Sequence, residues 1–123
     1  MMKIRKILFV LLPLILMSCG NYTMSTFYVK NTSDKSVSFD ASVTKFSQSG
    51  PYVINQNFTV KPNDSVLARK VALRNDVSPE KWFTQFTIFP TDGLEFNDPK
   101  VGQNWVKTVG KDGKPVYIFN IVK

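Results

Sequence analysis

Cys19 is the one cysteine in 123 residues, and the chain has no histidine. These two facts remove most nucleophilic and metal chemistry. A Ser-His-Asp or Cys-His arrangement needs an imidazole to take the proton. A zinc centre of the usual kind needs several nitrogen or sulfur ligands, and one thiol cannot close a disulfide within the chain. General-base work would fall to carboxylates or lysine. The carboxylates that cluster are Asp92, Glu95 and Asp98, in a stretch punctuated by Gly93 and Pro99. Several oxygen donors on a bent loop are what calcium takes, but the spacing matches no EF-hand loop, and the composition reads as a solvated, turn-rich connection. Nothing in the flanking sequence marks one carboxylate of a pair for the raised pKa that glycoside hydrolysis requires. The residue inventory predicts a protein that is not an enzyme and that uses no metal and no cofactor.

The surroundings of Cys19 carry the sharper signal. Lys3, Arg5 and Lys6 precede an uncharged apolar run from Ile7 to Met17, and Ser18-Cys19-Gly20 follows. Eleven apolar residues fall within the ~7–15 of a secretory signal and below the ~18 of a spanning helix. Pro13 in their middle opposes a long straight helix, and the basic flank suits the cytoplasmic side of a translocating segment.

Leu16-Met17-Ser18-Cys19 resembles the lipobox of bacterial lipoproteins, with an aliphatic residue three before the cysteine and a small one just before it. The resemblance covers residues 1–20 and none of the rest. It implies a diacylglycerol thioether on Cys19, removal of the peptide before it, and acylation of the new amino terminus with a fatty chain such as palmitate. Gly20, where an aspartate would imply inner-membrane retention, implies the outer membrane of a Gram-negative cell. With no acidic run after Cys19, the periplasmic face is expected. Stable anchoring needs more than one acyl chain, since each buried methylene contributes only about 0.8 kcal/mol, and a triacylated cysteine meets that condition.

The expected organisation is a signal peptide over 1–18, a lipidated tether over 19–25 and one domain over 26–123. Six extended residues after Cys19 reach about 20 Å, so the domain is expected close to its bilayer. Three of the sixteen basic residues lie before Cys19, which leaves thirteen against nine acids, a net charge of about +4 rather than +7. Scattered lysines do not make a nucleic-acid footprint. A mildly positive face suits anionic lipid head groups instead.

From Thr26 onward the pattern is β. Val37, Phe39, Ala41 and Val43 alternate with Ser38, Asp40, Ser42 and Thr44, a strand with one wet face. The reading places strands at 26–30, 36–45, 52–60, 65–73, 82–89, 105–109 and 116–122. Asn55-Gln56-Asn57 suggests a bulge, and Arg69 shares parity with Leu67, Val71 and Leu73, so one basic residue is expected to point inward near an edge. The stretch from Trp82 to Phe89, apolar on both faces, is expected as a central strand. Asp112-Gly113 between two β runs predicts a hairpin. About seven strands without a long helical period predict an all-β protein, a Greek-key β-sandwich of the immunoglobulin or transthyretin type, with a small barrel as the alternative.

The candidate contact residues are Trp82, Trp105 and Tyr52, which could stack on sugar rings or meet a partner. Tryptophans of sandwich proteins otherwise fill the core. Asp64-Ser65-Val66 resembles the three-residue O-glycosylation motif of some envelope proteins, with Ser65 as acceptor. The Asn-x-Ser/Thr matches at Asn21, Asn31, Asn57 and Asn63 carry little weight in a bacterial route. Lys61, Arg69, Lys70 and Arg74 gather around one hairpin, where lysine ordinarily keeps a strand edge from aggregating. The expectation is a membrane-anchored, non-enzymatic protein-interaction module of the cell envelope, an accessory subunit of an envelope or secretion assembly. Carbohydrate-binding lipoprotein and periplasmic inhibitor or immunity protein are the alternatives.

Overall fold

The structure, a computed structural model, describes residues 22–75 and 77–123. The predicted signal peptide and Cys19 lie outside the described residues. Seven strands follow in order: β1 (Tyr22–Lys30), β2 (Val37–Ser47), β3 (Gly50–Val60), β4 (Ser65–Arg74), β5 (Gln85–Ile88), β6 (Trp105–Val109) and β7 (Pro115–Asn120). They form a four-stranded sheet ordered β4-β1-β7-β6 and a three-stranded sheet ordered β3-β2-β5. All pairings are antiparallel except β1 with β7. The β2–β3 hairpin lies in one sheet, and β4 returns to the other to lie beside β1, a Greek-key return. The all-β sandwich expected from the sequence is the observed fold.

The alternation of β2 explains the packing. Val37, Phe39 and Ala41 are buried, and the residues between them line the outer face. Phe27 and Val29 do the same for β1, as Phe119 does for β7. Rings fill the space between the sheets. Phe39 stacks on Phe58 at 5.0 Å and on Phe86 at 4.8 Å, and Trp105 stacks on Phe119 at 5.1 Å. Phe86 of β5 meets Trp105 of β6 edge-on at 6.4 Å and Phe119 of β7 at 5.7 Å, so the two sheets share one aromatic cluster. Each such pair contributes about 0.5–1.5 kcal/mol beyond its area burial.

Turn chemistry closes the strands. Asn63 takes φ 57° in the Lys61–Asp64 turn, where Pro62 presets the preceding residue. Gly113 takes φ 78° in the β6–β7 hairpin, which the predicted Asp112-Gly113 turn closes with Gly110 N–H donating to Lys114 O at 2.9 Å.

Four features differ from the sequence reading. First, β1 begins at Tyr22 rather than Thr26, because Tyr22 to Ser25 find partners in Arg74 to Val71. Second, β2 and β3 pair without interruption from Val37↔Val60 to Ser47↔Gly50, so Asn55-Gln56-Asn57 holds no bulge. The irregularity lies at Phe27/Tyr28 instead, where Ala68 is the extra residue of β4. Arg69 therefore stays in phase with Val71 and Leu73, whereas Leu67 turns outward and is 48% exposed. Third, the 82–89 segment is not a central strand. Pro79 opens a 3-10 turn that takes in Trp82, Phe83 follows as its extended cap, and only Gln85–Ile88 pairs, at the edge of the smaller sheet. Fourth, β7 is internal, as its two apolar faces predict, but ends at Asn120, and Val122 forms an isolated bridge with Phe96.

Candidate interaction surface

The sandwich has two unlike ends. At one, the 31–36 and 61–64 turns meet around Asn31, which is fully buried. Its side-chain N–H groups donate to Lys35 O, Val60 O and Lys61 O, and its carbonyl oxygen accepts from Ser33 N–H and Oγ. The 31–36 connection starts β2 at this end. The β2–β3 hairpin tip therefore lies at the other end, with Tyr22, Arg74 and the β6–β7 turn.

Towards that second end the sheets part. A cleft of about 340 Å³ opens between the inner faces of β2 and β3 and the edge strand β4. Val43 and Ile54 form one wall, Ala68 and Val71 the other, with Phe83 between them. Lys45, Arg69 and Lys70 are the charged residues lining it, and no carboxylate is among them. Arg69 is held in place: it donates to Trp82 O, and its guanidinium carbon stands 5.7 Å from the Trp82 ring centroid. Burial lowers the Arg69 pKa below the ordinary arginine value, a cost that the hydrogen bond and the cation–π contact offset. β3 and β4 are both edge strands, so open backbone groups border the cleft on either side.

The structure separates the three aromatic candidates. Trp105 is 6% exposed, packs against Phe119 and Phe83, and donates its indole N–H to Pro99 O at 2.8 Å. It is a core residue, unavailable for stacking on a ligand. Trp82 is half-buried at the end of its 3-10 turn beneath Arg69, and its indole nitrogen is buried with no hydrogen-bond partner among the described residues. Tyr52 is 46% exposed near the β2–β3 tip. No common platform joins the three. The aromatic the sequence reading passed over is Phe46, 81% exposed on the same hairpin, opposite Pro51. Its signal was its place one residue past the regular alternation, next to the Ser47–Pro51 turn.

Ser65 opens β4 opposite Lys30, exposed, with its N–H donating to Asp64 Oδ1 at 2.8 Å. Arg69, Lys70 and Arg74 lie along β4 and Lys61 in the turn before it, so the four do not form one patch. In the acidic loop, Asp92 O accepts from Lys35 Nζ and Asp98 Oδ1 from Lys100 N–H, and among the described residues no three acidic or sulfur or imidazole groups converge as metal ligands. The outer face of the smaller sheet satisfies itself: Asn57 donates to Asp40 and Ser42 to Asn55, while Thr44 pairs with Thr84. Comparison with protein-family models, with curated proteins and with solved structures gave no match.

Proposed function

We propose that this protein is a lipid-anchored, non-enzymatic interaction module of the bacterial cell envelope, tethered through Cys19 and docking a protein partner in the cleft between its sheets. The observation that carries the reading is the cleft itself: an apolar floor, a rim of Lys45, Arg69 and Lys70, and an open strand edge on each side. That combination suits an extended partner segment with apolar and acidic side chains, which can add main-chain hydrogen bonds to an exposed edge. The periplasmic face of the outer membrane is the proposed location, on the strength of the lipobox-like residues and Gly20. A sugar-binding role has less support, because Trp105 is in the core and Trp82 is half covered by Arg69.

The test is crosslinking in intact cells followed by affinity purification of the full chain. Defined envelope proteins should be recovered, and the pair of substitutions Leu67→Glu and Lys70→Glu, both at exposed cleft positions, should lose them. Recovery of no specific partner under several crosslinking conditions, or recovery indifferent to the two substitutions, refutes the cleft as the docking site.

A further inference from the structure

We infer that the end of the sandwich carrying Tyr22 is a membrane-docking face that lies on the surface of an anionic phospholipid bilayer. The inference rests on the lipid-anchor reading for orientation, but its observations are separate from the lipobox.

Three chain segments converge there. β1 starts at this end with Tyr22, which is 62% exposed. The β6–β7 hairpin ends there in Gly110 to Lys114, with Val109 71% exposed at its shoulder. The β2–β3 tip reaches the same end. At about 3.3 Å per residue β2 spans about 33 Å and β1 about 26 Å, so the tip attains the level of Tyr22 even if the sheets are inclined by ~30°. The tip presents Phe46 at 81% exposure, with Tyr52 at 46% on the opposite face of the hairpin. Exposed rings and aliphatic side chains on separate loops at one end, ringed by cations, are the composition of an interfacial membrane anchor.

Charge selects the kind of surface. Lys45, Lys107, Lys111 and Lys114 are all exposed at the tip-side ends of these two hairpins, and Asp112 is the one acid within 45–52 and 107–114. Arg74 closes β4 beside them. At the opposite end Asp34, Asp64, Asp92 and Glu95 offset the lysines. Five of the thirteen basic residues after Cys19 thus lie at this end with one acid among the described residues there, whereas at the opposite end acids and lysines balance. Beside the β6–β7 hairpin, against β1 and β4, a recess of about 250 Å³ is lined by Thr23, Ser25, Arg74 and Lys107 together with Leu73 and Tyr117, a partly cationic hollow of a size for a phosphate head group. Cys19 precedes Tyr22 by three residues, at most about 10–11 Å of extended chain. A lipid on Cys19 therefore holds this end, and not the Asn31 end, at the bilayer. Anionic head groups attract each such lysine within a Debye length of the surface.

The experiment uses the full chain, purified from membranes and reconstituted into vesicles of phosphatidylglycerol with phosphatidylethanolamine or, separately, of phosphatidylcholine. Amide hydrogen exchange is the readout. Amides of 45–52 and 107–114 should exchange about tenfold more slowly on the anionic vesicles. Lys45→Glu, Lys107→Glu, Lys111→Glu and Lys114→Glu combined should abolish the difference. Phe46→Ser, at an exposed position, should remove protection at the β2–β3 tip alone. Equal exchange on both vesicles, or protection that appears at the 31–36 and 61–64 turns instead, overturns the inference. Mass analysis of the Cys19 peptide keeps the two readings apart. If Cys19 carries no lipid, the anchor reading fails, and the same exchange measurement on the chain added to preformed vesicles still decides the docking face. If Cys19 is lipidated and the face stays unprotected, the docking face alone fails.

Discussion

Replacing Asn31 should destabilise the fold more than any other single polar change. Asn31 is fully buried, and its side chain serves both turns that join the sheets at its end. It donates to Lys35 O at 2.7 Å, to Val60 O at 3.0 Å and to Lys61 O at 3.3 Å, and accepts from Ser33 N–H at 3.0 Å and Oγ at 2.7 Å. Leucine is close in size but offers no donor, so Asn31→Leu leaves the Lys35 and Val60 carbonyls without it. At about 1.5 kcal/mol for each buried group left unpaired, the loss is about 3 kcal/mol. For a domain near 100 residues that lowers Tm by about 12–24 °C. Asn31→Asp keeps the shape but points a carboxylate at three carbonyl oxygens. Repulsion and burial raise its pKa in the folded state above its unfolded value. The folded variant then binds more protons than the unfolded one, so its stability falls as pH rises through that window and recovers as pH is lowered towards 4. The assay is urea and thermal unfolding of residues 19–123 with Cys19→Ser, followed by circular dichroism. Asn31→Leu within about 0.5 kcal/mol of the parent, or an Asn31→Asp variant that grows less stable on acidification, refutes the role assigned to this side chain.

Three further outcomes test other parts of the structure. Trp105→Ala removes a ring that packs on Phe27, Phe83, Phe86 and Phe119 and should cost about 3–5 kcal/mol in the same urea assay, whereas Phe46→Ala, 81% exposed, should cost less than about 0.5 kcal/mol. Gly113→Ala places a side chain at φ 78° with no atom within 4 Å of its Cβ, so backbone strain alone should lower stability by about 1–2 kcal/mol, read as a fall in Tm. Cys19→Ala should release the protein from the membrane fraction or leave its leader attached, and unchanged processing and fractionation would sink the anchor.

The strands were legible where the sequence alternates on its own. Val37 to Thr44 shows a period of two because one face of β2 meets the core and the other meets solvent, and the Asp112-Gly113 turn announces itself through the positive φ that glycine tolerates. What failed were positions decided by a distant partner. Tyr22 to Ser25 carry no strong β signal, yet they are strand because Val71 to Arg74 lie alongside. The Ala68 bulge follows from fitting β4 against the Phe27–Tyr28 step, which no local pattern records. Trp82 read as strand by propensity, but Pro79 and the need to cross from β4 to the other sheet put it in a turn. The candidate surface was less legible still. Lys45, Lys107, Lys111 and Lys114 stand up to 69 residues apart in sequence, and only the chain reversal at each hairpin brings them to one end.

The uneven division of the fold follows from where its hydrogen bonds and its apolar area lie. At the Asn31 end, side-chain and backbone groups of three turns satisfy one another, as in Asn31 N–H to Asp64 O at 2.9 Å and Asn97 Nδ2 to Asn120 O at 2.7 Å. Opening there breaks several bonds at once and exposes Phe39 and Val60, so it requires something close to global unfolding. At the Tyr22 end, β5 covers only Phe39 to Ser42 of β2. Among the described residues, the outer part of the β2–β3 hairpin has no third strand beside it. A two-stranded ribbon with an exposed phenylalanine at its tip is marginal in water and invites contact with another surface. A protein that only had to fold would gain by shortening that hairpin to the length of β5. Retaining eleven residues in each strand makes physical sense if the overhang rests against something outside the chain. The cleft at its base, apolar with a cationic rim, and the lysines around its tip are two chemically different surfaces, so the occupants we propose for them differ, a protein segment for the one and a bilayer for the other.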